Sequence, residues 1–125
     1  MKYLLDTHTL LWALYDSNKL SDNAKNTLRG SDCCVSIASL WEMAIKNSIG
    51  KLELKQSIID IANVCNKNGI EVLDISPSHC DIIRGLPDIH HDPFDRIIIA
   101  QAMSNECTII TKDVMIPKYD VKTMW

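Results

Sequence analysis

Residues 92–102 read DPFDRIIIAQA, and this stretch predicts a buried helix that carries two carboxylates at its start. Asp92 suits an N-cap, and Pro93 suits the first helical position, where the amide proton that proline lacks would have no partner. Asp95 then falls in the first turn, where backbone amides and the helix dipole favour a negative charge. The two carboxylates are therefore either caps of this helix or part of a functional site.

On both sides of this stretch, predicted strands and helices alternate. Apolar or β-branched segments predict strands at 2–5, 33–36, 70–75, 107–111 and, at the edge, 121–124. Helical segments between them begin after Ser21 or Ser57, at Pro77, or just behind a strand. This alternation predicts a three-layer α/β/α domain with a central, mostly parallel sheet of four or five strands. A chain of 125 residues suits one domain, so we expect residues 1–125 to form a single unit.

Composition narrows the class of protein. Hydrophobic residues make up 46% of the chain, which indicates a globular protein, and the net charge of −3 argues against a purely nucleic-acid-binding module. The five cysteines show no C-x-x-C spacing and are odd in number, so we expect reduced, buried thiols in a cytoplasmic protein. The apolar run at 2–5 is too short to cross a membrane.

Two further acids follow predicted strands. Asp6 comes directly after the strand at 2–5, and Asp113 comes just after the strand at 107–111. The carboxyl ends of parallel strands meet at one edge of a sheet, and the helices that follow strands begin at that edge. We therefore expect Asp6, Asp113 and Asp95 to converge. The alternatives are a helix cap for Asp6 and an Asx-turn for Asp113.

Glu42 is the fourth acid of interest. On the helix predicted at 38–49, its neighbours three, four and seven residues away are mostly apolar, which predicts that the carboxylate faces the interior. Lys46 lies four residues on, so an i,i+4 ion pair is the alternative. Carboxylates that face one another inside a domain need a cation or a proton. Without Cys or His at zinc-ligand spacing, Mg²⁺ or Mn²⁺ is the expected ion.

Several motifs together resemble those of the PIN-domain ribonucleases, and within them the VapC-like toxins of bacterial toxin–antitoxin pairs. The matching segments span nearly the whole chain and occur in the family's order. They are LLDTH at 4–8 with LW at 11–12, Ser36 with LWE at 40–42, HDPFDR at 91–96 with AQA at 100–102, and ITKD at 110–113.

The resemblance implies a metal-dependent endoribonuclease with a PIN-like fold. It assigns the catalytic, metal-binding set to Asp6, Glu42, Asp95 and Asp113, with Asp92 either a further ligand or only the helix cap. A divalent ion, either Mg²⁺ or Mn²⁺, would activate a water molecule to attack an RNA phosphodiester. Residues expected to contact the substrate or to support the acids are Thr7, Arg96, Thr111 and Lys112.

The same resemblance implies the partners. An RNA is the expected substrate, a VapB-like antitoxin the expected inhibitor, and a homodimer the expected assembly, with no membrane involved. Toxins of this kind are often silenced by an antitoxin Arg or Lys that enters the acidic site.

Two other functions stay open from the sequence. An Asp-based phosphatase would use Asp6 as nucleophile, but such enzymes carry a second Asp two positions later, where this chain has His8. A non-catalytic PIN-like module that binds RNA or protein would not need four acids. Neither His90 nor His91 is expected to ligate zinc, and a loop or supporting role is predicted for both. Trp12 is expected to belong to the core or to an interface.

Overall fold

Five short parallel strands form the central sheet, in the spatial order β3-β2-β1-β4-β5. The computed structural model describes residues 2–125 of the chain. The strands are β1 (Lys2–Leu5), β2 (Asp32–Ser36), β3 (Glu71–Leu73), β4 (Thr108–Ile110) and β5 (Lys122–Met124). Every neighbouring pair runs parallel.

Helices connect β1 to β2, β2 to β3 and β3 to β4, whereas a 3-10 turn lies between β4 and β5. The helices are α1 (Thr7–Tyr15), α2 (Asp22–Gly30), α3 (Ile37–Ser48), α4 (Ile58–Lys67), α5 (Pro77–Arg84) and α6 (Pro93–Asn105), with 3-10 turns at Ser17–Lys19 and Ile116–Lys118. The predicted caps are confirmed: the Ser21 hydroxyl accepts from Ala24 N at 3.0 Å, and the Ser57 hydroxyl accepts from Asp60 N at 3.1 Å. Gly69 follows α4 with a φ of 73°, a conformation that favours glycine.

Alternate residues of β1 belong to two separate cores, one on each face of the sheet. Leu5 belongs to a buried cluster with Leu10 of α1 and Met43 of α3. Leu4 belongs to a second cluster with Ile98 and Ile99 of α6 and with other residues on that face. Because both faces of the sheet are covered by helices, the predicted three-layer α/β/α architecture is confirmed.

Some details differ from the sequence-based prediction. The edge strand β3 is shorter than the predicted 70–75, because only three of its residues pair with β2. Cys80 is exposed on α5, whereas the other four cysteines are buried as expected; all five are free thiols. None of the helices in the described part of the chain is long and apolar enough to cross a membrane.

Candidate metal centre

The pairing of β1 with β4 places Asp6 beside Thr111. Leu5 lies opposite Ile110 in the sheet, and Asp6 N donates to Ile110 O at 3.2 Å. Asp6 and Thr111, which follow these two residues, are therefore neighbours. The Thr111 hydroxyl donates to Asp6 Oδ2, and Thr9 N donates to Asp6 Oδ1 at 2.9 Å. Asp6 thus caps α1, as the alternative reading of the sequence had it, and is buried at the carboxyl edge of the sheet as well.

Asp113 is held at the same edge by a tight turn. Its backbone amide donates to the Thr111 hydroxyl at 2.9 Å, so one threonine links Asp6 to Asp113. Asp113 Oδ1 accepts from Met115 N at 2.7 Å and from Ile116 N at 3.0 Å, which is the predicted Asx-type turn. Asp113 Oδ2 faces the centre of the cluster instead.

The N-terminus of α6 delivers the third carboxylate to this edge. Asp92 Oδ1 accepts from Phe94 N at 2.9 Å and from Asp95 N at 3.3 Å, so Asp92 is the N-cap of the helix. Asp95 lies in the first helical turn and is largely buried. Asp92 is therefore the cap of this helix.

His90 is the residue whose place in the centre the sequence did not reveal. Its Nε2 atom lies 2.8 Å from Asp95 Oδ2 and 3.5 Å from Asp113 Oδ2. The approach is close, but the ring is not aligned for a hydrogen bond. Asp92 N donates to His90 Nδ1 at 3.3 Å, so a neutral ring carries its proton on Nε2, facing the two carboxylates. Ligand atoms of His90, Asp95 and Asp113 all lie within 4.8 Å of one another.

A buried tyrosine fixes the loop that carries His90. The Tyr119 hydroxyl accepts from His90 N at 2.7 Å and from Ile89 N at 3.2 Å, and it donates to Pro87 O at 2.9 Å. The Arg96 guanidinium contacts the same hydroxyl at 3.2 Å and donates to Pro87 O at 3.0 Å. These contacts explain why a loop without regular structure holds His90 against two carboxylates.

Tyr119→Phe is expected to destabilise the protein by about 2 kcal/mol, because it leaves the partly buried His90 and Ile89 amides without their acceptor. We expect it also to weaken divalent-metal binding, since the His90 loop loses its anchor. Urea unfolding and isothermal titration with Mn²⁺ measure the two effects. Tyr3→Phe is the control for the loss of a phenol oxygen as such, because Tyr3 packs against the core cluster that contains Leu5, away from the His90 loop. Equal stabilities of Tyr119→Phe and wild type would contradict the anchoring role.

The surroundings of Asp95 disfavour its charge. Its pKa is raised from 3.8 to about 7, chiefly by burial and further by the nearby carboxylates of Asp92, Asp6 and Asp113. His90 opposes them, because its positive form lowers the pKa of Asp95. A carboxyl group with a pKa this far above its usual range marks a place where a cation would bind favourably.

The raised pKa of Asp95 predicts how the stability of the metal-free protein depends on pH. Between pH 4 and pH 7 the folded state binds a proton that the unfolded state has already lost. The stabilisation is therefore complete below about pH 4 and is lost as the pH rises through about 7. Wild type should lose more free energy of unfolding between pH 5.5 and pH 8 than Asp95→Asn does, measured by urea titration in EDTA. Parallel pH profiles of the two proteins would contradict this account.

Glu42 lies on α3 and is buried, as predicted, with 5% of its side chain exposed. Its Oε2 atom forms the i,i+4 ion pair with Lys46 Nζ at 2.7 Å that the sequence offered as the alternative. This hydrogen bond raises the pKa of Lys46, and the carboxylates of Asp92 and Asp95 raise it further, which shows that Lys46 stands close to the acidic centre. Glu42 Oε1 is buried and has no hydrogen-bond partner among residues 2–125.

The other residues expected to support the site have different partners. The Thr7 hydroxyl donates to the Ser39 hydroxyl at 3.0 Å and so links α1 to α3, and Thr111 supports Asp6 directly. Arg96 binds loop carbonyls and Tyr119 rather than an acid. Lys112 is exposed and lies beside Asp6 and Asp113.

The donor set fits a hard divalent cation. Among residues 2–125, the possible ligand atoms that come within 4.8 Å of one another belong to Asp95, Asp113 and His90. Asp6 lies near enough for its carboxylate to raise the pKa of Asp95, and Glu42 has a buried oxygen without a hydrogen-bond partner in that part of the chain. A group of like charges in a buried position is unfavourable alone, and a divalent cation with oxygen ligands relieves it. These residues can therefore hold the ion that the sequence predicts.

Comparison with known proteins assigns the family. The model of the PIN domain family matches residues 3–122, which is nearly the whole chain. The chain belongs to the PIN domain family. The resemblance noted in the sequence motifs is thereby confirmed at the level of the family. No curated protein matches this PIN domain in sequence.

Solved structures share the architecture of this PIN domain over almost its full length. VapBC2 from Rickettsia felis, bound to a DNA fragment from its promoter, aligns with a TM-score of 0.74 at 15% identity, covering 99% of this chain and 98% of that one. FitAcB from Neisseria gonorrhoeae aligns with a TM-score of 0.68 at 17% identity, covering 98% of this chain and 96% of that one. VapBC-1 from nontypeable Haemophilus influenzae aligns with a TM-score of 0.66 at 20% identity, covering 99% of this chain and 97% of that one. At these identities the likeness shows a shared fold.

Proposed function

We propose that this PIN domain is a metal-dependent endoribonuclease that hydrolyses RNA phosphodiester bonds and serves as the toxin of a toxin–antitoxin pair. One observation carries the proposal. Asp95 is held among other carboxylates at the carboxyl edge of the sheet, and its pKa is raised to about 7. Arranging like charges in this way is unfavourable for folding, which is expected where a catalytic cation binds.

The residues that would hold the ion are Asp6, Glu42, Asp95 and Asp113. Oxygen donors favour Mg²⁺, with Mn²⁺ able to replace it. When bound, such an ion supplies an acidified water for attack on phosphorus and offsets the charge that grows on the phosphate oxygens. A net negative chain can bind an anionic substrate at this place because the cation reverses the local charge.

The protein's own groups orient the ligands. Thr111 fixes the Asp6 carboxylate by its hydroxyl and the Asp113 backbone by its oxygen. His90 Nε2 lies close to both Asp95 and Asp113, at 2.8 Å and 3.5 Å from their Oδ2 atoms. Such outer contacts raise the precision with which ligating carboxylates are held, and losing one typically costs tenfold or more in metal affinity or activity. Lys46 pairs with Glu42 and so offsets the negative charge of that carboxylate.

The proposed partners, an antitoxin and a second copy of the chain, are supported by the structurally similar proteins and by one exposed apolar surface. The similar structures include VapBC complexes, which supports a VapB-like antitoxin as the inhibitor of this chain. Trp41 and Ile45 of α3 and Ile49, its C-cap, recur every four residues and are exposed, Trp41 to 54%. We propose that this stripe contributes to a homodimer in a cytoplasmic protein whose residues 1–125 act as one domain.

The test is cleavage of RNA by the purified protein free of antitoxin. Single-stranded RNA should be cut in Mg²⁺ or Mn²⁺, and EDTA should abolish the cutting. A DNA oligonucleotide of the same sequence is the control for substrate class. Metal binding without cleavage of any RNA would favour the non-catalytic module. An aspartyl-phosphate trapped at Asp6 would favour the phosphatase, although the chain has His8 where such enzymes carry their second aspartate.

A further inference from the structure

A cavity of about 270 Å³ adjoins the acidic centre on the side of α1. Two of its lining residues, Asp6 and Asp113, belong to the proposed ligand set, and the others are His8, Trp12 and Lys112. Any molecule in this cavity therefore lies directly beside the place where the scissile phosphate would bind. The proposed function uses the acids and assigns no role to His8 or Trp12, and the resemblance gave Lys112 only a general expectation of a role at the site.

Two aromatic rings form one wall of the cavity. His8 and Trp12 lie one turn apart on α1, with ring centroids 5.7 Å apart and planes inclined by 27°, so the rings are stacked. Trp12 is held from another side by Trp125, edge-to-face at 5.6 Å and 64°. His8 is exposed, whereas Trp12 is partly buried. A rigid, partly buried indole that supports an exposed imidazole is a suitable platform for another flat ring.

Lys112 supplies a positive charge at the same cavity. It is exposed, and it forms no hydrogen bond or ion pair with any of residues 2–125, although Asp113 follows it directly and Asp6 lines the same cavity. A lysine that stays unpaired between two carboxylates is available to a phosphate group of a ligand. Proteins recurrently bind single-stranded nucleic acid by combining aromatic rings, on which bases stack, with positively charged side chains that contact the phosphates.

We propose that this cavity binds the nucleotide next to the scissile phosphate of single-stranded RNA, with its base stacked on His8 and its phosphate on Lys112. The inference rests on the proposed function, because the cavity shares its acids with the metal centre. Stacking requires an unpaired base, since a base inside a duplex presents no face to a side chain. The subsite accordingly selects single strands over duplexes and tolerates different bases.

The test measures RNA binding rather than cleavage. Asp95→Asn is the background, since it keeps every side chain of the cavity and slows hydrolysis. The probe is a single-stranded eight-nucleotide RNA with one 2-aminopurine, titrated in Mg²⁺ and followed by anisotropy and by fluorescence quenching. Adding His8→Ala should weaken binding by roughly five- to tenfold and reduce the quenching. His8→Phe, which keeps a flat ring, should restore both to within about twofold.

Two further variants separate the contacts. Lys112→Ala should lower the slope of log affinity against log salt by about 0.7, the value for one phosphate contact in a single strand, whereas His8→Ala should leave that slope unchanged. His91→Ala is the matched control, because His91 is 81% exposed and pairs with Asp88 rather than lining the cavity. It should bind RNA as the background does.

The outcomes distinguish this inference from the proposed function. If wild type cleaves RNA but His8→Ala binds it as tightly as the background does, the subsite is wrong and the nuclease stands. If wild type cleaves no RNA but the His8 series behaves as expected, the subsite stands within a binding module. Failure of His8→Phe to restore binding, or an unchanged salt slope for Lys112→Ala, overturns the proposed contacts.

Discussion

Replacing Asp6 with asparagine is expected to slow RNA cleavage at least about a hundredfold while the fold survives. The substitution removes one anionic oxygen from the ligand set, and losing one such electrostatic group in an active site commonly costs this much. Asparagine is as good an N-cap as aspartate, so the bond from Thr9 N that begins α1 is retained. The measurement is the single-turnover rate of RNA cleavage in saturating Mg²⁺, beside a thermal melt.

Asp81→Asn is the matched control for removing a carboxylate. Asp81 lies on α5, is largely exposed, and its only recorded partner in residues 2–125 is Arg84 at 3.7 Å. It should cleave RNA at the wild-type rate, because a surface pair of this kind contributes little. A rate for Asp6→Asn equal to that of Asp81→Asn would remove Asp6 from the catalytic set.

Saturating Mn²⁺ is expected to raise the melting temperature of the metal-free protein by roughly 10 °C. An ion at a hundredfold excess over its dissociation constant adds about 2.7 kcal/mol to the stability of the folded state. For a domain of this length each kcal/mol shifts the midpoint by about 3–5 °C. Differential scanning fluorimetry at pH 7.5, with and without Mn²⁺, measures the shift.

Variants localise the effect to the acidic centre. Asp113→Asn should lose most of the Mn²⁺-dependent shift, since Asp113 Oδ2 faces His90 and the other carboxylates. Asp81→Asn should keep the whole shift, and sodium chloride at matched ionic strength should not reproduce it. A shift that is the same in all three proteins would mean that Mn²⁺ binds elsewhere on the molecule.

The sequence predicted the parts of the site that regular structure determines. Asp6 and Asp113 follow strands, and strand ends are marked by the change from apolar to polar residues. The register of β1 with β4 then brings them to one threonine, Thr111. Asp95 was predictable from the cap and proline before it. For Glu42, helical spacing anticipated both its burial and its pairing with Lys46.

The placement of His90 was beyond prediction from the sequence, for a physical reason. Its loop has no periodicity, and its conformation is decided by Tyr119, twenty-nine positions away, and by Arg96. A contact of this kind leaves no local pattern in the chain. The same holds for Arg96, whose charge next to Asp95 suggested a substrate contact, whereas the fold directs its guanidinium to loop carbonyls. The only available hint was that His90 stands two residues before the cap Asp92.

The acids come from distant parts of the chain, and this has a consequence for synthesis on the ribosome. Residues of β4 and Asp113 are synthesised after positions 6, 42 and 95, and until they emerge β1 has no partner on one side and Thr111 cannot bind Asp6. A nascent chain therefore lacks part of the sheet edge and part of the proposed ligand set. Under the proposed function, RNA near the ribosome is exposed to cleavage only after Asp113 has been synthesised and β4 has joined the sheet.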